Sequence, residues 1–172
     1  FDMRITHMKN LFTSLFVLLV TLTNAQIIDI DKPETYFPAG FGNLKLGISV
    51  QDFHKIMDTT KMERNATSAF TFIQFSKLNP GNNIASMQLK FDSPQQGVNA
   101  NRPLYEATFE FTDKDLADKF VSEKFTGQYR ITEKAEKEWF LSTTKDYWMI
   151  VRKSGTTITL AAMMNGTEWG FE

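Results

Sequence analysis

The chain has 172 residues, 42% of them hydrophobic and 23% charged, the composition of an ordinary globular domain. A formal net charge of −1 removes the electrostatic case for nucleic acid, whose binders carry a basic patch. The lack of any cysteine excludes disulfides, thiol nucleophiles, Cys-ligated zinc and a lipid-modified N-terminal cysteine.

From Met8 the chain reads Met-Lys-Asn, then an almost unbroken apolar run from Leu11 to Thr23, then Thr23-Asn24-Ala25 before Gln26. A basic start, a short apolar core and small residues at the end describe a secretory signal peptide cleaved after Ala25. The run falls short of the roughly 20 residues of a membrane-spanning helix, so no transmembrane segment is expected after cleavage. An uncleaved anchor is the alternative. Residues 1–7 read as upstream sequence. Export without cysteine fits a bacterial periplasm or exterior, where disulfides are optional. Two Asn-x-Thr tripeptides, at Asn65 and Asn165, read as turn chemistry rather than glycan sites.

Residues 26–172 are expected to form one domain. Gln26 to Gly40 is a lead-in, with Ile27, Ile28 and Ile30 as a short strand before Pro33 and Pro38. Leu44, Leu46 and Ile48 alternate as an extended entry into a helix that starts at Ser49 and ends near Thr59. Ser49 with Asp52 three residues on resembles a capping box. Val50, Phe53, Ile56 and Met57 then form one apolar stripe that needs a partner layer. Thr67 to Ser76 reads as a strand, followed by the turn signal Asn79-Pro-Gly-Asn82. Ile84 to Phe91 and Leu104 to Phe111 alternate cleanly as strands on either side of a polar loop, Asp92 to Pro103.

Thr112 is expected to cap a second helix with Leu116, Phe120, Val121 and Phe125 on its apolar side. Ser49-Val-Gln-Asp-Phe and Thr112-Asp-Lys-Asp-Leu share the cap, the acidic third position and the first core residue. Either good helix starts converge on this chemistry, or the chain has two related halves. Glu138 to Thr143, Tyr147 to Lys153 and Thr156 to Met163 then read as a meander with turns at Lys145-Asp146 and Ser154-Gly155. The tail holds Trp169 and Phe171.

Chemistry-bearing residues are sparse. His54 stands without a partner at catalytic or metal-ligand spacing, and reads as a helix-flank residue. Glu106, Glu110, Asp113, Asp115 and Asp118 form the best carboxylate cluster. A structural account serves them better than acid–base work: Asp113 and Asp115 favour a helix N-terminus, and Glu106 and Glu110 can pair with Lys90. Their spacing lacks the order of a calcium loop. No catalytic or metal residues, no cofactor and no enzymatic activity are therefore expected. Sixteen phenylalanines point to an aromatic core, or to a cavity for an apolar ligand between helices and sheet. Trp148, Trp169 and Phe171 are the candidates for a partner interface, tryptophan being enriched at binding hot spots.

The phrase Leu44-Lys-Leu-Gly-Ile-Ser-Val-Gln-Asp-Phe, a strand passing through Gly into a Ser-capped helix and then antiparallel strands, resembles a recurring envelope module. It looks like the helix starts of the SmpA/OmlA outer-membrane assembly proteins and of the β-lactamase-inhibitor-like domains. It departs from the former in lacking a lipid-attachment cysteine and the Leu-Gly-x-Pro turn after the helix, where Met57-Asp-Thr-Thr60 stands. The resemblance implies a non-catalytic binding or scaffolding domain.

The expectation is thus an α+β fold, two helices on an antiparallel sheet of five to seven strands. Its function is that of an exported interaction domain whose partner is a protein or another cell-envelope component. A periplasmic or secreted carrier of an apolar ligand is the alternative.

Overall fold

The computed structural model describes residues 26–66, 72–92, 102–165 and 167–170. The expected signal peptide, part of the strand from Thr67, most of the loop after Asp92, and Phe171 lie outside the described residues. Within them, the chain forms two α-helices and one mixed, mostly antiparallel sheet of nine strands. The strands are β1 (Ile27–Ile28), β2 (Glu63–Ala66), β3 (Phe72–Gly81), β4 (Ile84–Asp92), β5 (Leu104–Phe111), β6 (Arg130–Thr132), β7 (Ala135–Thr143), β8 (Trp148–Ser154) and β9 (Thr157–Ala162). The helices are α1 (Val50–Ile56) and α2 (Lys114–Lys124).

Across the sheet the order is β1-β7-β8-β9-β5-β4-β3-β2, with β6 also paired to β7. The expected five to seven strands, all antiparallel, are corrected on both counts. β1 runs parallel to β7, and the exposed strand β2 pairs with β3 although its Glu-Arg-Asn-Ala sequence has no apolar alternation. Asn65, read as a turn residue, therefore lies in a strand. Each helix is followed by four strands, and the two sets meet antiparallel along β5 and β9, where Thr108 faces Thr159.

Both helices cover the same sheet face, because the alternating apolar residues of every long strand point that way. Phe53 of α1 is fully buried, its ring 5.2 Å from Phe75 and 5.0 Å from Phe91. Phe120 of α2 lies 5.4 Å from Phe111, and Phe125 lies 6.1 Å from Trp139. Between the helices, Phe37 and Phe41 pack on Phe109 at 5.9 and 5.3 Å. The segment before α1 is thus part of the core, not a lead-in. Tyr36 anchors it: its hydroxyl donates to the Ile30 carbonyl and accepts from the Leu46 N–H, satisfying a polar group that burial would otherwise leave costly.

Local chemistry explains most boundaries. Gly47, at φ +84°, turns the chain so that Gly47 N–H and Ile48 C=O pair with Leu104 before the helix begins. Ser49 Oγ accepts from the Asp52 N–H at 3.0 Å and donates to the Asp52 carboxylate at 2.9 Å, so the acid returns to the cap hydroxyl. The helix stops at Ile56, earlier than expected, because Met57 is extended and Asp58 caps a separate 3-10 turn, Thr59–Lys61. The second helix is capped by Asp113, whose carboxylate accepts from Asp115 N–H, and not by Thr112, whose hydroxyl donates to Asn83. β3 runs past the expected turn to Gly81. The hairpin closes at Asn82 and Asn83, with φ of 57° and 63°, the left-handed pair that a type I′ turn requires.

A deeply buried charged side chain lies on the helix-covered face. Lys153 on β8 is 1% exposed and reaches Asp118 of α2 at 2.8 Å and Glu136 of β7 at 2.6 Å. Despite burial, which opposes the charge, these carboxylates hold its ammonium well above the usual lysine range. The Lys114 and Lys153 hydrogen bonds in turn pull Asp118 down to about 2.

Candidate functional site

Strand alternation sends the remaining side chains to the opposite face, which neither described helix covers. Its registers read across as rows. One row is Gln74, Lys90, Glu106, Ala161, Ile150 and Phe140; the next is Ser76, Gln88, Thr108, Thr159, Arg152 and Glu138. This face is polar in its middle and carries large exposed rings toward β7 and β8. Phe140 is 38% exposed and Trp148 is 47% exposed.

The polar residues are paired in two linked clusters. Glu138 is 1% exposed and lies between the guanidinium groups of Arg130, at 2.7 Å, and Arg152. Both arginines hold this carboxyl below its usual range against the cost of burial. Each guanidinium also lies over a ring, Arg130 at 4.1 Å from the Phe140 centroid and Arg152 at 4.3 Å from Trp169. The second cluster centres on Glu106. It accepts from Lys90 at 3.1 Å and from the Trp169 indole N–H at 2.6 Å, while Lys90 also reaches Glu168 at 2.6 Å. Burial pushes the Glu106 carboxyl above its usual range. Glu168, against the same desolvation, is held below by Lys90 and by its hydrogen bond with Glu106. The ordering follows from depth, because Glu106 is 7% exposed and Glu168 stands at the rim.

Glu168 and Trp169 come from the tail after β9. Met163 N–H donates to Trp148, and Thr167 N–H and hydroxyl return to the Met164 carbonyl. This turn brings Trp169 back across the sheet. Its partners sit on β5 and β8, the two neighbours of β9, so the indole spans β9. There the small, fully buried Ala161 leaves room.

The three residues expected at a partner interface therefore have different fates. Trp148 stands exposed on the uncovered face. Trp169 is half-buried and bonded within the chain. Phe171 lies outside the described residues. The candidate carboxylates are not brought together. Glu110 accepts from Ser86 on the uncovered face, Asp113 and Asp115 serve the first turn of α2, and Asp118 is on the helix side bound to lysines. His54 is exposed on α1, 3.0 Å from the Thr59 hydroxyl and edge-on to Phe75. Among the described residues no group of three or more His, Cys, Asp or Glu side chains is placed to hold a metal ion. No described helix is long and apolar enough to cross a membrane.

Sequence reasoning missed Arg130, Arg152 and Glu138, although alternation along β7 and β8 would have placed Glu138 and Arg152 on one face. It did anticipate Lys90 with Glu106. A groove of about 900 Å³ lies at the surface beside α1, lined by Lys45, Ser49, Gln51, Asp52, His54 and Arg102 among others. Ile48 and Val50 also line it, so polar and apolar groups share the groove about evenly. Compared with known protein families, with characterised proteins and with solved structures, the chain matches none.

Proposed function

We propose that this chain is an exported, non-enzymatic interaction domain that docks a protein partner of the bacterial cell envelope on the uncovered face of its sheet. One observation carries the reading. The two faces are unequal: one is sealed by helices over stacked rings, and the other carries Phe140 and Trp148 exposed beside paired arginines. Aromatic and arginine side chains on a rigid platform, with a polar surround, are the composition of a binding hot spot. The separation of the carboxylates across the two faces, with His54 apart from both, supports a role without acid–base chemistry. The ring-on-ring contacts between helices and sheet favour docking over the carrier alternative.

The matching order of helix and four strands on each side of the β5–β9 seam also supports two related halves. In that arrangement both halves contribute to one broad platform.

The test is co-purification from an envelope fraction with the chain as bait, comparing wild type with Phe140→Glu and Trp148→Ala. Both residues are surface-exposed, so unfolding midpoints should stay within a few degrees of wild type. The reading expects the captured protein to be lost from both variants and kept by Glu123→Lys on the exposed side of α2. Equal capture by all four chains would contradict it.

A further inference from the structure

The tail shows what the centre of the uncovered face is built to hold. Three side chains from three strands converge there: Lys90 of β4, Glu106 of β5 and Arg152 of β8. Between them they meet the three recognisable features of a Glu-Trp pair. Lys90 takes the glutamate carboxylate at 2.6 Å, Glu106 takes the indole N–H at 2.6 Å, and Arg152 lies over the ring at 4.3 Å. Ala161 of β9, the register partner of Glu106, lies between the strands that carry these groups. An indole without the acid would leave Lys90 with Glu106 alone, and an acid without the indole would leave Glu106 without its N–H donor and Arg152 without its ring.

We infer that this box is a recognition site for an acidic–tryptophan segment of a partner protein, and that Glu168-Trp169 occupies it in cis as a displaceable plug. The inference rests on the docking role of the uncovered face. It adds the chemistry of the partner and a requirement: the tail must leave before the partner enters. A tether supplies an effective concentration on the order of millimolar. A free segment with a dissociation constant near 0.1 mM is therefore held off roughly tenfold by the tail. The turn that seats the plug is tight at Gly170, where an added Cβ would lie 2.3 Å from the Met164 carbonyl oxygen, a backbone atom with little freedom to move, so a side chain there would unseat the tail.

The probe is the synthetic peptide acetyl-Asn-Gly-Thr-Glu-Trp-Gly-amide, titrated into the full chain and followed by calorimetry. Trp169→Ala removes the indole from Glu106 and Arg152 and leaves Glu168 tethered through Lys90. The expected result is saturable one-to-one binding to Trp169→Ala, at least tenfold weaker binding to wild type, and at least tenfold loss when the peptide carries Gln for Glu or Ala for Trp. Gly170→Ala leaves every box residue in place and should bind as Trp169→Ala does, which preserves the test if the first variant fails to fold. Equal binding by wild type and the opened variants would overturn the plug, and no binding to either opened variant at millimolar peptide would overturn the box. Neither result touches Phe140 and Trp148. Conversely, partner capture that survives Phe140→Glu would remove the docking reading and leave the box to stand or fall on the titration.

Discussion

Removing Lys153 tests how α2 is held to the sheet. The side chain is 1% exposed, yet its two carboxylate partners are not deeply buried, Asp118 being 34% and Glu136 47% exposed. Lys153→Met keeps the length of the aliphatic stem and removes only the charge. The two acids left behind regain water, so the loss is the difference between two charge-assisted bonds and the cost of dehydrating an ammonium, about 1–2 kcal/mol. The reverse perturbation is different in kind. Asp118→Asn with Glu136→Gln leaves the ammonium buried with no counter-charge, a situation that costs about 3–5 kcal/mol. For a domain of this size each kcal/mol moves the midpoint by about 2–4 °C. The expected drops are therefore about 2–8 °C for Lys153→Met and about 6–20 °C for the double variant, read by circular dichroism in thermal and urea unfolding. The inequality between them is the prediction. If Lys153→Met proves as damaging as the double variant, the ammonium is not the group that burial penalises and the account of this contact fails.

The same contact sets a pH dependence. Asp118 is depressed to about 2 in the folded chain from 3.8, so its stabilising share is complete above pH 4 and is lost as pH falls through 2. Because a third of the side chain is in water, that share is about 1 kcal/mol and should be missing from acid titrations of Asp118→Asn. In the core, Phe53→Ala vacates a fully buried site between Phe75 and Phe91 and should cost about 3–5 kcal/mol by denaturant titration. At the β3–β4 hairpin, Asn83→Val forces a β-branched residue to positive φ and should cost roughly 1–2 kcal/mol, whereas Asn83→Gly should be near neutral. Ser49→Ala removes the α1 cap at a cost of about 1 kcal/mol, with hydrogen exchange accelerated in that helix first.

The parts of the fold that could be read from the residues are those where one face is buried and the other wet. β4, β5, β8 and β9 alternate because the helices seal one side of them, and α1 declares itself through Ser49, Asp52 and Phe53. The parts that could not be read lack that contrast. β2 is a polar edge strand whose pairing depends on backbone bonds to β3, so side-chain periodicity carries no trace of it. β1 is two residues long and gains its place only by lying parallel to β7, a neighbour more than a hundred positions away. The α2 cap, expected at Thr112, lies one residue on at Asp113, because Thr112 makes a tertiary bond to Asn83 that no local pattern announces.

At the site, the pairing of Lys90 with Glu106 followed from cross-strand register. The seat of Trp169 did not, because it depends on a tail that folds back over β9. The contact of Lys153 with Asp118 is likewise tertiary, made only because α2 lies over the end of β8.

The proposed docking role places a partner on the uncovered sheet face and not on the helix face. It is tested most directly by placing a photo-crosslinking residue at position 140 on β7, or at position 123 on α2, and irradiating cells that produce the chain. The account predicts one discrete protein adduct from position 140 and none from position 123. An adduct from position 123 with none from position 140 would contradict it.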